Sequence, residues 1–249
     1  MTAADEGFLR SCARLTQRVS RPSHSFSMLG VELFQDLPEP ELRRLVAIAK
    51  RRRFARGEVV FHRGDPADTL HLIARGRFIA RVETGTGDIV AVSVHGSGDA
   101  FGELALLGLE QHRSATVAAL EAGETYAIHR DDFTRLRRDY PAVNEVLVRL
   151  LAARVRRMND LYVEALFTDA ETRVLRRLHE LATLYGRGAP GTVIPLSQQE
   201  IAGLAATSRA TVNRVMRAEE TRGTLSLQRG QTTIVDPVAL ARRAGRGQS

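Results

Sequence analysis

The chain has 249 residues, with 36 basic and 29 acidic side chains, and 43% of its residues are hydrophobic. That length suffices for one large domain or two modest ones, each with its own core. A single cysteine, Cys12, excludes a disulfide scaffold, a cysteine-only zinc site and a cysteine-ligated iron–sulfur cluster. No apolar run reaches the roughly 18 residues of a membrane span, so we expect a cytoplasmic protein without a membrane partner.

The excess positive charge lies in the last third of the chain. Residues 170–249 carry 12 basic and 6 acidic side chains, whereas residues 29–169 carry 20 and 21. This asymmetry predicts that the C-terminal part binds a polyanion while the middle part has another role. The alternative is a solvated basic face without a partner.

The first half of the chain reads as a tail followed by short strands. Residues 1–28 show no sustained period and are predicted to form a poorly ordered tail or a weak amphipathic helix. From residue 54 to about residue 130, β-rich runs alternate with glycine-containing turns. Two of these runs alternate in hydrophobicity, at Leu70, Leu72 and Ala74 and at Val90, Val92 and Val94. Such runs predict antiparallel strands with one buried face, arranged as a small barrel or sandwich.

A long helix is predicted to begin near Pro141 and to continue for about 25 residues. Its apolar residues form a narrow stripe, which is typical of a two-stranded coiled coil between two copies of the chain. The alternative is a helix that packs on its own domain. Thr168 and Asp169 are predicted to form a hinge that caps the next helix, over residues 171–185. The predicted dimer seam comprises Leu147, Leu151, Val155, Met158, Tyr162 and Ala165.

The segment 101–117 combines residue types that suit a cyclic phosphodiester. Gly102 and Glu103 are followed ten residues later by Arg113, which precedes Ser114 and Ala115. The exocyclic oxygens of such a ligand need a cation and closely approaching backbone N–H groups, and its ribose 2′-OH needs an acceptor. Arg113 and the two following amides meet the first need, Gly102 permits the close approach, and Glu103 meets the last.

The motifs F-G-E-L-A-L-L and R-S-A-T-V, at this spacing, resemble the phosphate-binding cassette of the Crp/Fnr regulators, in particular of their cyclic-AMP-responsive branch. The resemblance covers about residues 33–237. It implies an eight-stranded β-roll with Glu103 on the 2′-OH, Arg113 and Ser114 on the cyclic phosphate, and cyclic AMP as allosteric effector. The alternative is a cassette that has lost its ligand, in which Glu103 and Arg113 pair with each other.

The base-reading positions depart from that branch. Met158 and Asn159 stand on the long helix where the branch has a Thr-Ser pair. Asn159 has a donor and an acceptor for an adenine edge, whereas Met158 has neither and is expected in the dimer seam. The nucleotide site predicted in this way comprises Gly102, Glu103, Leu104, Arg113, Ser114, Ala115, Met158 and Asn159.

The last third contains a predicted helix-turn-helix. Ser197 and Glu200 form a capping box at the start of one short helix, and Ser208 caps a second. The motif S-R-A-T-V-N-R resembles the S-R-E-T-V-G-R recognition helix of the same family. The resemblance implies that Arg209 and Arg214 read guanine and that Ser208 and Thr211 hold phosphates. The predicted DNA-binding residues are Ser197, Gln198, Ser208, Arg209, Ala210, Thr211, Asn213, Arg214 and Arg217.

The predicted fold class is α+β, with a jelly-roll-like β-roll, a long dimerisation helix and a winged helix-turn-helix. The predicted boundaries are a tail over 1–28, the roll over 29–140, the helix over 141–167, the DNA-binding domain over 168–240 and a tail over 241–249. The resemblance implies a non-enzymatic transcription regulator, a homodimer on palindromic DNA, with RNA polymerase as a further partner. The alternatives are a pocket for cyclic GMP, cyclic di-GMP or no ligand, and a nucleotide-sensing subunit of an enzyme. No metal site and no metal cofactor are predicted.

Overall fold

The structure, a computed structural model, describes residues 38–85, 87–108 and 112–245. The tail predicted over residues 1–28 lies outside the described residues. Among the helices that are described, none has the length and apolar character needed to cross a membrane.

The N-terminal domain is a roll of eight described strands in two antiparallel sheets. One sheet has the order β1-β8-β3-β6 and the other has the order β2-β7-β4-β5. A 3₁₀-helix, Glu103–Leu107, follows β6. The strands are β1 (Lys50–Phe54), β2 (Val59–Phe61), β3 (Thr69–Arg75), β4 (Phe78–Glu83), β5 (Ile89–His95), β6 (Ala100–Phe101), β7 (Thr116–Ala119) and β8 (Gly123–His129).

Helices flank the roll, and a smaller domain follows it. Helix α1 (Glu39–Ile48) precedes the roll, and α2 (Arg130–Asp139) and the long helix α3 (Ala142–Phe167) follow it. The C-terminal domain contains α4 (Ala170–Gly186), β9 (Thr192–Ile194), α5 (Gln198–Leu204), α6 (Arg209–Thr221), β10 (Leu225–Gln228), β11 (Gln231–Ile234) and α7 (Pro237–Arg243). Its sheet has the order β10-β11-β9, and β10 and β11 form the wing. The predicted α+β class with a β-roll and a winged helix-turn-helix is confirmed.

Strand β3 is buried on both faces, although its sequence alternation predicted one buried face. Leu70 and Leu72 belong to a core cluster that includes Phe133 of α2 and Val143 of α3. Ile73 belongs instead to the aromatic cluster inside the roll. The prediction was wrong for β3 because helices cover the outer face of its sheet, a tertiary contact that a period of two does not encode.

A β-bulge interrupts β5 at Val92. Ala80 and Arg81 of β4 pair with Ser93 and Ala91, so Val92 lies between paired positions and is 44% exposed. The bulge breaks the predicted alternation of Val90, Val92 and Val94. It leaves Ala91 buried beneath the C-terminal domain and His95 buried at the wall of a pocket that Gly102 and Arg113 also line.

The last helix extends the C-terminal domain past the predicted boundary at residue 240. Helix α7 runs from Pro237 to Arg243, with Pro237 at its first turn and the Asp236 side chain as its N-cap. Leu240 and Ala244 are both fully buried in the C-terminal core. Residues 241–244 therefore belong to this domain and do not form a tail.

The C-terminal domain docks on the outer side of β4 and β5 through helix α5. Glu200 forms an ion pair with Arg81 of β4, with 2.6 Å between Oε1 and Nη2. Although burial raises it, the pKa of Glu200 is lowered overall by the hydrogen bonds from Arg81 and Ser197. Arg77 donates a 2.9 Å hydrogen bond to the Leu184 carbonyl and lies over the Tyr185 ring.

Replacing Gly203 by alanine is expected to destabilise the protein by about 1–3 kcal/mol. A Cβ at Gly203 would lie 2.7 Å from the carbonyl oxygen of Ala91 and 2.8 Å from its nitrogen, so α5 would have to move off β5. In a helix without that contact, the same substitution stabilises by about 1 kcal/mol. Chemical denaturation measures the sign of the change in the free energy of unfolding. A stabilised variant would show that α5 does not pack on β5 in solution.

Candidate nucleotide pocket and DNA-binding face

Gly102 lies in the pocket wall at a position where no larger residue fits. Its φ of 79° is left-handed and begins the 3₁₀-helix that carries Glu103 and Leu104. A Cβ at Gly102 would lie 2.8 Å from Nη1 of Arg113 and 2.9 Å from the Thr69 carbonyl oxygen. The backbone here can therefore approach a ligand closely only as glycine.

Arg113 is a buried cation with incomplete pairing. It is 7% exposed, donates from Nη1 to the Thr69 carbonyl at 2.7 Å, and lies 3.5 Å from the Asp68 carboxylate. Its Cζ lies 4.1 Å from the centre of the Phe61 ring, and its buried Nε has no hydrogen-bond partner. Burial lowers the pKa of Arg113 despite the carboxylates nearby. A buried cation with an unsatisfied donor is costly, and an anionic ligand would complete it.

Glu103 pairs with the long helix and not with Arg113. Glu103 as a whole is 6% exposed, and its Oε1 lies 3.5 Å from Nε of Arg154 on α3. This contact differs from the alternative in which Glu103 and Arg113 pair in a ligand-free cassette. Arg154 was not among the predicted site residues. Its sequence signal was a charged residue beside the apolar stripe of the predicted helix.

The predicted pocket residues fall into two groups. Gly102, Glu103, Leu104, Arg113, Ser114 and Ala115 line one pocket together. Among the described residues, those that line this pocket within one chain include Arg154 but neither Met158 nor Asn159. Met158 is 61% exposed, and Asn159 is exposed beside it on α3. The predicted role of Asn159 at the base thus requires a contact that one chain does not make.

Two buried histidines flank Phe101 inside the roll. His71 stacks on Phe101 with ring centres 5.1 Å apart and shares a 3.0 Å hydrogen bond with Thr125. His95 shares a 2.8 Å hydrogen bond with Ser93 and lines the pocket. Burial, with Arg113 and Arg52, lowers the pKa of His71 to about 3, and burial, with Arg154, lowers the pKa of His95 to about 4. Both rings are neutral at neutral pH.

The free energy of unfolding of the ligand-free protein is expected to fall as pH drops below about 6.5. There the unfolded chain protonates His71 and His95 while the folded chain does not, so stability is lost toward acid pH. Each histidine contributes up to about 1.4 kcal/mol per pH unit between its unfolded and folded pKa. Denaturant titrations between pH 7 and 5 test this, and a double variant His71→Gln, His95→Gln should lose most of the slope. An unchanged slope would contradict the neutral assignment.

The predicted recognition helix α6 presents its polar face to solvent. Ser208 caps it by accepting from the Thr211 N–H, and its apolar residues Val212, Val215 and Met216 are buried. The capping box of Ser197 and Glu200 is present at α5, as predicted. The exposed residues of this face are Ser208, Arg209, Ala210, Asn213, Arg214 and Arg217, with Thr211 half-buried.

Several of these polar side chains are held by neighbours. Gln198 donates to Asn213 at 3.3 Å, and Arg217 donates to Glu220 at 2.7 Å. Glu220 also accepts the Leu227 N–H of the wing, so Glu220 ties α6 to β10 and holds Arg217 on the same helix. Arg214 lies 3.7 Å from Glu171 of α4.

Glu219 occupies an otherwise apolar position of α6 because two arginines neutralise it. It is 0% exposed, and its Oε1 lies 3.0 Å from Arg222 and 2.9 Å from Arg243 of α7. The pairing joins the recognition helix to the last helix, so Glu219 has a structural role behind the DNA-binding face.

Arg173 of α4 connects the end of the long helix to the turn of the helix-turn-helix. Its Nη1 donates to the Thr168 carbonyl at 2.6 Å. Its Nε and Nη2 donate to the carbonyls of Ala205 and Ala206, both at 2.9 Å. Ala206 has a left-handed φ of 48°, so Arg173 also braces a strained turn.

Replacing Arg173 by methionine is expected to lower the free energy of unfolding by about 1–3 kcal/mol, because three backbone carbonyls lose a charged donor. DNA affinity should fall as well, while nucleotide affinity should not change. Denaturation and DNA titration measure these effects, and Arg156→Met, at an exposed position of α3, is the control. Equal losses in both variants would contradict this role.

Ion pairs cross the bend between α3 and α4. Glu164 lies 2.6 Å from Arg177 and 3.2 Å from Arg176, and Arg157 lies 2.8 Å from Glu180. Asp169 caps α4 by accepting from the Thr172 N–H, as predicted. These contacts restrain the direction in which the C-terminal domain leaves the long helix.

The apolar stripe of α3 begins later than predicted. Leu147 is buried in the core of its own domain, and Leu151 is half-buried against the same cluster. Val155, Met158, Tyr162 and Ala165 are exposed. Leu147 is therefore not on the exposed stripe, because the first turns of α3 cover the roll. The assignment of the remaining residues to a dimer seam stays a prediction.

The fold and the two sites define a two-domain regulator, in which a nucleotide-binding type of β-roll is joined to a winged helix-turn-helix. The family of cyclic nucleotide-binding domains matches residues 51–140, and the family of Crp-like helix-turn-helix domains matches residues 172–243. The chain belongs to the Crp/Fnr family of cyclic-nucleotide-binding transcription regulators.

Two relatives and one solved structure illustrate the likeness. The CRP-like cAMP-activated global transcriptional regulator of Mycobacterium tuberculosis is 34% identical over 194 residues, covering 77% of this chain and 86% of the relative. The cyclic AMP receptor protein of Thermus thermophilus is 34% identical over 215 residues, covering 86% of this chain and 96% of the relative. A CRP-family regulator from the same species has a solved structure with a TM-score of 0.65 and 26% identity. The match covers 78% of this chain and 96% of that regulator.

Proposed function

We propose that the pocket binds cyclic AMP and that the nucleotide controls DNA binding by a homodimer on palindromic sites. Arg113 carries the proposal. It is buried, its Nε lacks a partner, and it faces the same pocket as Gly102, Ser114 and Ala115. A cyclic phosphate would satisfy this cation without adding a net buried charge. The names of the two relatives, which both refer to cyclic AMP, support the choice of nucleotide.

The Glu103–Arg154 pair offers a route from the pocket to the long helix. A ribose 2′-OH that donates to Glu103 would share the carboxylate with Arg154 and so favour one position of α3 relative to the roll. The exposed stripe that includes Val155 and Tyr162 lies on the same helix. Nucleotide binding would thereby bias the arrangement of a dimer packed along this stripe.

The ion pairs of Glu164 with Arg176 and Arg177 would pass that arrangement to the DNA-binding domain. In a dimer with the active arrangement, the two α6 helices would enter successive major grooves about one turn of DNA apart. Without nucleotide, we expect only salt-sensitive binding to phosphates. The protein would act in the cytoplasm through binding and without catalysis, with RNA polymerase as its partner at promoters.

Calorimetric titration of nucleotide-stripped protein with cyclic AMP, cyclic GMP and cyclic di-GMP tests this function. We expect saturable binding of cyclic AMP at about one per chain, and loss of that binding in Glu103→Ala. Binding of another of the three nucleotides alone would replace the effector while keeping the site. Absence of heat with all three would contradict the proposed ligand class.

Dimerisation is tested separately by sedimentation of wild type and of a Val155→Glu, Tyr162→Glu double variant. Both substitutions place charges on the exposed stripe and leave the core unchanged. A dimeric wild type and a monomeric variant are expected. A wild type that stays monomeric with and without cyclic AMP would contradict the proposed seam.

A further inference from the structure

We propose that His95 reads the nucleotide base, the role that Met158 cannot fill. The inference rests on the proposed function, because it assumes that a cyclic purine nucleotide occupies the pocket. It assigns a residue of β5, a strand of the roll, to base selection. The observations that carry it are the position of His95 in the pocket wall, its burial and its hydrogen bonding.

The phosphate end of the pocket is defined by Arg113 above the Phe61 ring. Phe61 belongs to β2, whereas His95 belongs to β5, and these strands form opposite edges of the sheet β2-β7-β4-β5. Three strand spacings correspond to about 14 Å along a flat sheet, and the distance across the inside of a curved sheet is shorter. A cyclic mononucleotide with its phosphate at Arg113 would therefore extend its base toward His95.

Between the phosphate end and His95, the pocket wall offers a base mostly apolar contacts. Val117 of β7 and Ala80 of β4 line the pocket between Phe61 and β5, and Phe101 packs on the imidazole of His95 with ring centres 6.3 Å apart. Arg154 also lines the pocket, but its guanidinium is engaged by Glu103. Within the part of the chain that the structure describes, His95 is thus the buried hydrogen-bonding side chain on the β5 side of the pocket.

The chemistry of the imidazole suits a purine edge. His95 is neutral, so one ring nitrogen donates and the other accepts. Nε2 is engaged by the Ser93 hydroxyl at 2.8 Å, which leaves Nδ1 for a ligand. Because the Ser93 hydroxyl can donate or accept, it fixes the ring without forcing one tautomer. His95 can therefore meet either a ring nitrogen or an exocyclic amino group of the base.

Full-length, nucleotide-stripped wild type and His95→Leu are titrated with cyclic AMP, cyclic GMP and the cyclic 3′,5′-monophosphate of purine riboside, which lacks the exocyclic groups. We expect His95→Leu to weaken the preferred nucleotide by about fivefold to tenfold and to bring the affinities for the three nucleotides closer together. His95→Gln keeps hydrogen-bonding capacity and should restore part of the selectivity.

The matched control is His71→Leu. His71 is buried in the same aromatic cluster beside Phe101 but does not line the pocket. It should leave the ratios among the three nucleotides unchanged. Unchanged ratios in His95→Leu, or equal losses for all three nucleotides in both variants, would overturn the assignment of His95. Failure of wild type to bind any of the three would instead overturn the proposed function, and this inference with it.

Discussion

Replacing Arg113 by glutamine is expected to weaken cyclic AMP binding by at least about 30-fold. Removal of one partner of a desolvated, hydrogen-bonded charge pair costs about 2–5 kcal/mol, and in the proposed complex the other partner is the cyclic phosphate. Glutamine keeps polarity and much of the side-chain length, so the loss isolates the charge. Calorimetry with purified protein measures it, and nucleotide-stimulated DNA binding should disappear in parallel.

The stability of the same variant separates loss of the ligand from loss of the fold. In the ligand-free protein, Arg113 is a buried cation with one unsatisfied nitrogen, so its removal relieves a desolvation cost while it loses the Thr69 contact. We expect the free energy of unfolding to change by no more than about 1 kcal/mol. Arg53→Gln, at an exposed position of β1, is the control. Wild-type affinity in Arg113→Gln would contradict the phosphate assignment.

Local sequence signals predicted much of the fold because the interactions behind them are local. The capping box of Ser197 and Glu200, and the Asp169 cap, join residues three positions apart, and all are present as predicted. The short motif around Gly102 and Arg113 likewise predicted which residues share the pocket. Such patterns are readable because the chain itself brings these groups together.

The sequence did not reveal contacts that only tertiary packing creates. Arg154 contacts Glu103 although it lies 51 positions later in the chain. In the sequence, its position indicated only that it borders the apolar stripe of the long helix. His95 enters the pocket because a bulge at Val92 changes the strand alternation. Leu147 was predicted in the dimer seam but lies in the core of its own domain, because the first turns of α3 cover the roll. In each case a partner distant in sequence decides the environment of the residue.

Replacing Arg209 by alanine is expected to remove most of the sequence-specific component of DNA binding. Arg209 is exposed at the first position of α6, where a bidentate contact to guanine is worth about 1–3 kcal/mol. A dimer makes the contact twice, so the free energy of binding to the specific site should weaken by about 2–6 kcal/mol. Titration on a palindrome selected from random DNA, with saturating cyclic AMP, measures it against binding to unrelated DNA.

Arg217→Ala is the matched control for this experiment. Arg217 lies on the same helix and is also exposed, but it donates to Glu220, which also accepts the Leu227 N–H of the wing. Its removal should weaken binding to selected and unrelated DNA by similar, smaller factors, because no base contact is lost. An Arg209→Ala variant that loses affinity equally on both DNAs would assign Arg209 to phosphate contacts. Base selection by α6 would then have to come from Arg214 and Asn213, whose side chains are already oriented by Glu171 and Gln198.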